Sequence, residues 1–302
     1  MTTNDDIVQD SERSGLIGAL PRALRPYASL MRLDRPIGAW LLFWPCAWSV
    51  ALAGMGPSGA ALILWLALGA WAMRSAGCVW NDIVDRDLDA RVERTRLRPL
   101  ASRRATLAGA WILLACLCAI GLIVLLQLEP TAQIVALASL APVAAYPFMK
   151  RITWWPQAWL GLVFSWGALV GWAVLGEIGL TAAILWFGSV FWVIGYDTIY
   201  ALQDREDDAL VGVKSSALAL GRHARTGVAI CYSIALALWA AALWRVRPDG
   251  LALVALLPMA AHLGWQVARL DPGDGRDALA KFRSNRMAGF ILFLACLVVG
   301  TS

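Results

Sequence analysis

Charge is scarce in this sequence, and so are the residues on which soluble enzyme chemistry usually rests. Only 16% of the 302 residues are charged, and the only histidines, His223 and His262, are too few and too scattered for a metal cluster. The six cysteines (Cys46, Cys78, Cys116, Cys118, Cys231, Cys296) form no loop pair with metal-ligand spacing, so they read as small apolar packing residues. Period-two alternation of apolar and polar residues is missing, which argues against a transmembrane β-barrel. The opening MTTNDDIVQDSERSG has neither an early apolar run nor the Arg-rich, acid-poor composition of a transit peptide. This points to a bacterial inner membrane rather than a mitochondrial precursor.

What is present is apolar. Hydrophobic residues make up 60% of the chain and 17 residues are Trp, far more than an ordinary soluble domain carries. A bilayer-crossing helix needs roughly 20 mostly apolar residues, and nine such spans are legible: about 37–53, 59–80, 105–127, 131–149, 154–176, 179–201, 226–244, 250–268 and 287–301. Backbone polar groups must be satisfied inside the bilayer, so these spans are helices. The fold class is therefore all-α, a multi-pass membrane bundle forming one domain over 1–302. Residues 1–35 form a tail and, from Leu16 to Met31, an amphipathic helix on the membrane surface.

The net charge of +5 does not indicate nucleic acid, because the charge is distributed by side. Apart from Arg74 within a span and Arg245 and Arg247 in an outer loop, every Lys and Arg falls on one face of the expected topology. By the positive-inside rule the N-terminus is cytoplasmic and the C-terminus outside.

Two long loops on that face carry acid clusters. The first reads Asn81-Asp82-Ile83-Val84-Asp85-Arg86-Asp87-Leu88-Asp89, and the second runs from Asp197 through Tyr200, Gln203 and Asp204 to Asp208. At about 100° per residue, Asn81, Asp82, Asp85 and Asp89 share an arc of about 100°, and Asp197, Tyr200, Asp204 and Asp208 one of about 80°. Asp87 and Asp207 fall off these arcs. A single cluster would read as solvated surface charge, but two with the same Asp-x-x-x-Asp core on one face call for a cation. Oxygen-only ligands select magnesium or calcium, and magnesium binds one or two carboxylates together with substrate phosphates. A diphosphate is the natural third party.

The two clusters, with Arg94-Thr95-x-x-Arg98-Pro99-Leu100 after the first, resemble the paired motifs of the UbiA prenyltransferases. Five further segments resemble the 4-hydroxybenzoate polyprenyltransferase branch of that family. They are Arg32-Leu33-Asp34-Arg35-Pro36-Ile37-Gly38, Met73 to Cys78, Tyr146-Pro147-x-x-Lys150-Arg151, Pro156-Gln157, and Val211 to Ser215. The resemblance runs from about residue 25 to 295. One departure is Arg103, which follows Ser102 where the family often has Gly, and it bears on the local turn.

The resemblance implies helices around a central cavity opening to the cytoplasm, with a lateral route to membrane lipid for the prenyl tail. It implies Mg2+-dependent transfer of a polyprenyl group from polyprenyl diphosphate to the carbon ortho to the hydroxyl of 4-hydroxybenzoate, a step of ubiquinone biosynthesis. Asp85, Asp89, Asp204 and Asp208 would hold the metal, with Asn81 and Asp82 assisting, and Gln203 would bind substrate. Lys150, Arg151 and Lys214 would donate to the phosphates, as would Tyr146 and Tyr200, whose plainer role is interfacial anchoring. Arg74 lies on the Asn81 face about 10 Å deeper by helix rise. It either pairs with Asp197 or, with Arg32 or Arg35, receives the acceptor carboxylate while Asp197 faces the phenol or takes the ring proton. The competing readings are a sibling prenyltransferase acting on haem, naphthoate or chlorophyllide, and a magnesium or substrate transporter. Transporters place polar residues at midplane on broken helices, a pattern not seen here.

Overall fold

The computed structural model describes residues 17–56, 58–91, 95–176, 178–205, 212 and 214–300, leaving aside the side chains of Lys150 and Asp204. Among these residues the chain is helical, without strands. In order the helices are α1 (Arg25–Leu30), α2 (Ile37–Leu52), α3 (Gly59–Asp89), α4 (Leu107–Leu125), α5 (Pro130–Ala138), α6 (Leu140–Ile152) and α7 (Pro156–Ser165). They continue with α8 (Gly167–Ala173), α9 (Leu180–Ala201), α10 (Ser216–Leu220), α11 (Ala224–Val246), α12 (Gly250–Arg269) and α13 (Gly275–Gly300).

Seven helical stretches among the described residues are long and apolar enough to cross a bilayer: Gly59–Asp89, Leu107–Leu125, Pro130–Met149, Leu180–Ala201, Ser216–Val246, Gly250–Arg269 and Gly275–Gly300. The other two expected spans are also helical but shorter. The first is α2, with 16 residues, and the second divides into α7 and α8 at Trp166. Of the expected surface helix over 16–31, the described residues are helical at 17–18 and in α1. Pro21 and Pro26 lack the N–H that an interior helical residue must donate, and Arg25 folds back on the carbonyls of Leu20 at 2.9 Å and Gly18 at 2.7 Å.

The length of α3 positions the first acid cluster. At about 1.5 Å per residue its 31 residues exceed the roughly 30 Å of a hydrocarbon core by several turns. The surplus is the polar end, Asn81 to Asp89.

Contacts divide the chain into two compact units. Unit 1, Met1–Trp40 with Leu68–Val124, packs Leu30, Ala76, Val79, Leu100, Ala105, Ala110 and Leu117 into one core. Unit 2, Leu41–Ala67 with Leu125–Ser302, is arranged around α9, which packs against α7, α8, α11 and α13. Its centre is aromatic: the Trp48 ring lies 5.1 Å from Trp192 and 5.5 Å from Trp239. Lipid offers no hydrophobic drive between helices, so close contact relies on small residues. Gly188 and Gly195 of α9 accordingly make room for the Trp239 and Tyr232 rings of α11.

Candidate active site

In unit 1 one face of α3 is acidic and buried. Asp82 is 1% exposed, Asp85 fully buried and Asp89 4% exposed. The side chain of Asp87, two residues from Asp85, is 79% exposed and pairs with Arg86 at 2.9 Å. Asn81 is half-buried.

Buried carboxylates require counter-charge, and two arginines supply it. Arg32 Nη2 donates to Asp82 Oδ1 at 2.7 Å. Arg98 Nη1 donates to Asp89 Oδ2 at 2.8 Å and more distantly to Asp82 Oδ1 at 3.4 Å. Arg32 reaches its partner from a left-handed backbone, φ 58°, where its Nη1 also donates to the Ser29 carbonyl at 3.0 Å. Burial works against its charge, but the negative field of Asp82, reinforced by its hydrogen bond and by Asp34, outweighs burial. Its pKa is therefore raised, and it remains a cation at any working pH.

Arg74 lies deeper on α3, where it donates to the Cys78 sulfur one turn on. Its guanidinium occupies the space beside Gly38 at the start of α2: a Cβ there would meet Arg74 Nη2 at 3.0 Å and Cζ at 3.1 Å. Glycine at 38 is thus explained by packing.

In unit 2 the second cluster departs from the expected straight helix. α9 ends at Ala201 and tightens into a 3-10 turn over Leu202–Asp204, a common way for a helix to end. The arc drawn at α-helical period through Asp204 therefore does not hold past Ala201. Asp197 and Tyr200 are half-buried on α9, and the Tyr200 ring packs 4.6 Å from Phe282. Gln203 is half-buried, its Nε2 enclosed without a hydrogen-bond partner. Asp208 lies outside the described residues, as do Glu206, Asp207, Arg94, Val211 and Val213, and the side chains of Asp204 and Lys150.

The basic candidates of unit 2 gather at the C-terminal end of α6. Lys214 Nζ donates to the Ile152 carbonyl at 3.2 Å and stands 5.7 Å from the Trp154 ring, where the helix dipole favours a cation. Arg151 lies 5.8 Å over Phe148, and Tyr146 is half-buried one turn before Lys150. The first residue of α10, Ser216, is held from two sides. Gln157 Oε1 accepts from the Ser216 N–H at 2.9 Å, and Thr198 and Ser216 share a 2.7 Å hydroxyl contact.

Two features escaped the sequence reading. Arg98 was visible only as a motif residue. A buried polar chain in unit 2 was not visible at all: Tyr232 donates to Gln266 Oε1 at 2.7 Å, Gln266 to Asn285 Oδ1 at 3.3 Å, and Trp192 Nε1 to the same Asn285 oxygen at 2.9 Å. The available signal was a lone amide within the span of 250–268, since polar side chains at membrane depth are costly unless paired.

Among the described residues no three His, Cys, Asp or Glu side chains stand close enough to cage a metal on their own. The chemistry of the α3 face nonetheless suits magnesium. Its donors are all carboxylate oxygens, Asp82 Oδ2 is buried without a hydrogen-bond partner, and magnesium draws its remaining ligands from water and phosphate.

The sequence profile of the UbiA prenyltransferase family matches residues 42–297. The chain is similar to the mitochondrial 4-hydroxybenzoate polyprenyltransferase of Drosophila melanogaster, 45% identical over 287 residues that cover 93% of this chain and 73% of that one. It is also similar in structure to an apo UbiA homolog from Aeropyrum pernix K1. That match has a TM-score of 0.71 and 26% identity, covering 86% of this chain and 97% of the other. A UbiA homolog from Archaeoglobus fulgidus bound to GPP and Mg2+ shares the fold at TM-score 0.65 and 16% identity, with 91% and 99% covered. These relatives correct one expectation. The bacterial inner membrane with a cytoplasmic site is overturned by similar proteins of animals and Arabidopsis thaliana that are named as mitochondrial. Charge asymmetry distinguishes the two sides of a bilayer, and neither it nor the composition of the opening residues says which bilayer it is. The multi-pass membrane character stands.

Proposed function

The chain belongs to the UbiA prenyltransferase family, and from that premise we propose that it transfers a polyprenyl group from polyprenyl diphosphate to 4-hydroxybenzoate. The new bond forms at the ring carbon ortho to the hydroxyl, a step toward ubiquinone. The observation that carries this reading is the identity to 4-hydroxybenzoate polyprenyltransferases along almost the whole chain. The same relatives outweigh the haem, naphthoate, chlorophyllide and transporter alternatives.

We assign Asp85 and Asp89 of the first cluster, and Asp204 and Asp208 of the second, to magnesium. Magnesium held at these carboxylates would neutralise the diphosphate as it leaves. Asn81, Tyr146, Tyr200, Gln203, Lys150, Arg151 and Lys214 are assigned to diphosphate oxygens, the cations through charge-assisted hydrogen bonds. Asp82 serves by holding Arg32 and Arg98 in place. Arg74 is assigned to the acceptor carboxylate, supported by its depth on α3 and by the space Gly38 leaves for its guanidinium; Asp197 is assigned to the phenol side. The allylic C–O bond breaks with its electron pair on the diphosphate, a ring π pair forms the C–C bond, and the ring proton is then lost.

The test is product analysis with purified protein in nanodiscs, given prenyl diphosphates with 4-hydroxybenzoate or a naphthoate acceptor. Prenylated 4-hydroxybenzoate is expected. Product from the naphthoate alone would reassign the chain to a sibling activity.

A further inference from the structure

Arg98 is placed to do more than balance charge. Its Nη1 lies 2.8 Å from Asp89 Oδ2, and Asp89 is a carboxylate assigned above to magnesium. The same nitrogen reaches Asp82 Oδ1 at 3.4 Å, and Arg32 already holds that oxygen at 2.7 Å. Asp82 would therefore stay paired if Arg98 changed its contacts, whereas Asp89 would lose a close cation.

The Arg98 backbone is held by its own turn, independently of the side chain's ion pairs. Its N–H donates to the Thr95 carbonyl at 2.9 Å, and its carbonyl accepts from the Ser102 N–H at 2.9 Å and hydroxyl at 2.8 Å. Thr95 Oγ1 in turn donates to the Asp89 carbonyl at 3.1 Å. The turn is thus tied to the helix end that carries Asp89, and only the side-chain torsions of Arg98 decide where its charge goes.

We propose that Arg98 is an internal counter-cation that occupies Asp89 in the absence of substrate and moves to the diphosphate when it arrives, so that metal loads with diphosphate and not before it. A cation at about 2.8 Å from a carboxylate competes directly with a metal ion for the same oxygen. An incoming diphosphate offers the guanidinium a bidentate anion in exchange. Linkage requires the effect to be reciprocal: whatever diphosphate adds to metal affinity, metal adds to diphosphate affinity. Arg98 is here a positioning residue. The inference rests on the assignment of Asp89 to metal.

The test measures Mn2+ binding by electron paramagnetic resonance on the full chain in detergent, with and without inorganic pyrophosphate. In the unaltered protein, pyrophosphate should tighten Mn2+ binding on the order of tenfold, a typical coupling. Arg98→Gln should bind Mn2+ alone on the order of tenfold tighter and gain little from pyrophosphate. Arg98→Lys keeps the charge on a single-point donor, should fold in either case, and should lie between the two. A structural role alone would lower stability without tightening metal, so an Arg98→Gln or Arg98→Lys protein that binds Mn2+ no more tightly than the parent overturns the proposal. Absence of Mn2+ binding in the unaltered protein, even with pyrophosphate, would overturn the metal assignment and this inference with it.

Discussion

Asp85 and Asp87 are separated by one residue on α3 yet occupy opposite environments, the first fully buried and the second largely exposed. That contrast supplies a matched pair. Asp85→Asn keeps size and removes charge, and prenyl transfer should fall on the order of 10²-fold or more if Asp85 holds the metal. Asp87→Asn should leave turnover near the parent value, and equal losses in the two would show that the buried face is not what matters. Arg74→Leu tests the acceptor assignment: KM for 4-hydroxybenzoate should rise sharply while KM for the prenyl diphosphate stays nearly constant. The opposite split would place Arg74 with the phosphates. Arg103 is the residue at which the chain departs from the family pattern, and it adopts φ 59°. The turn survives, with Arg103 N–H on the Leu100 carbonyl at 3.2 Å and Ala105 N–H on Pro99 at 3.0 Å, but an L-residue there is strained by about 1–2 kcal/mol. Glycine relieves that strain while giving back some of the gain as chain entropy. Arg103→Gly should raise the midpoint of thermal unfolding in detergent by a few degrees, and a lower midpoint would mean that the Arg103 side chain contributes more than its backbone costs.

At the scale of elements, α9 sets the arrangement of unit 2, and its contacts depend on glycine as much as on tryptophan. Gly161 of α7 lies so close to α9 that a Cβ would meet the Val190 carbonyl oxygen at 2.9 Å and Val190 Cγ1 at 3.0 Å. The first of these is backbone and cannot rotate away. Gly161→Ala should therefore cost about 1–3 kcal/mol, read as a lower thermal midpoint without loss of the α-helical circular dichroism signal. An unchanged midpoint would show that α7 can slide along α9. The buried Tyr232–Gln266–Asn285–Trp192 chain joins α9, α11, α12 and α13 through hydrogen bonds that lipid cannot replace.

For the whole molecule, the proposed magnesium dependence is the variable to test. Activity should disappear with excess EDTA and return with Mg2+, and full turnover under EDTA would refute metal dependence. Calcium should bind but support transfer poorly, since its looser coordination positions a leaving group less well. Mg2+ with a prenyl diphosphate should also stabilise the fold by linkage, by about 2.7 kcal/mol at a ligand concentration of 100 times Kd. Neither component alone should do so to the same extent if Arg98 holds Asp89 until both are present.

Local periodicity determined a good deal of this protein. The apolar runs and the helical class follow from what a bilayer does to unpaired backbone groups, and the buried face of α3 follows from residues at positions 82, 85 and 89 returning to one side every turn. Both depend on neighbours in sequence. The partners of that face do not: Arg32 and Arg98 lie 50 and 16 residues from Asp82, and only the packing of α1 and the Thr95–Ala105 loop against α3 brings them within reach. Nor did composition separate Trp48, Trp192 and Trp239, packed as a core cluster, from the exposed Trp111, Trp154 and Trp244. The tightening of α9 into a 3-10 turn, which ends the α-helical register just before Asp204, was likewise beyond a periodicity argument. In each case the sequence states which groups must be buried or paired, and the tertiary structure decides with what, because the cost of a buried charge or an unfilled contact is settled by distant residues.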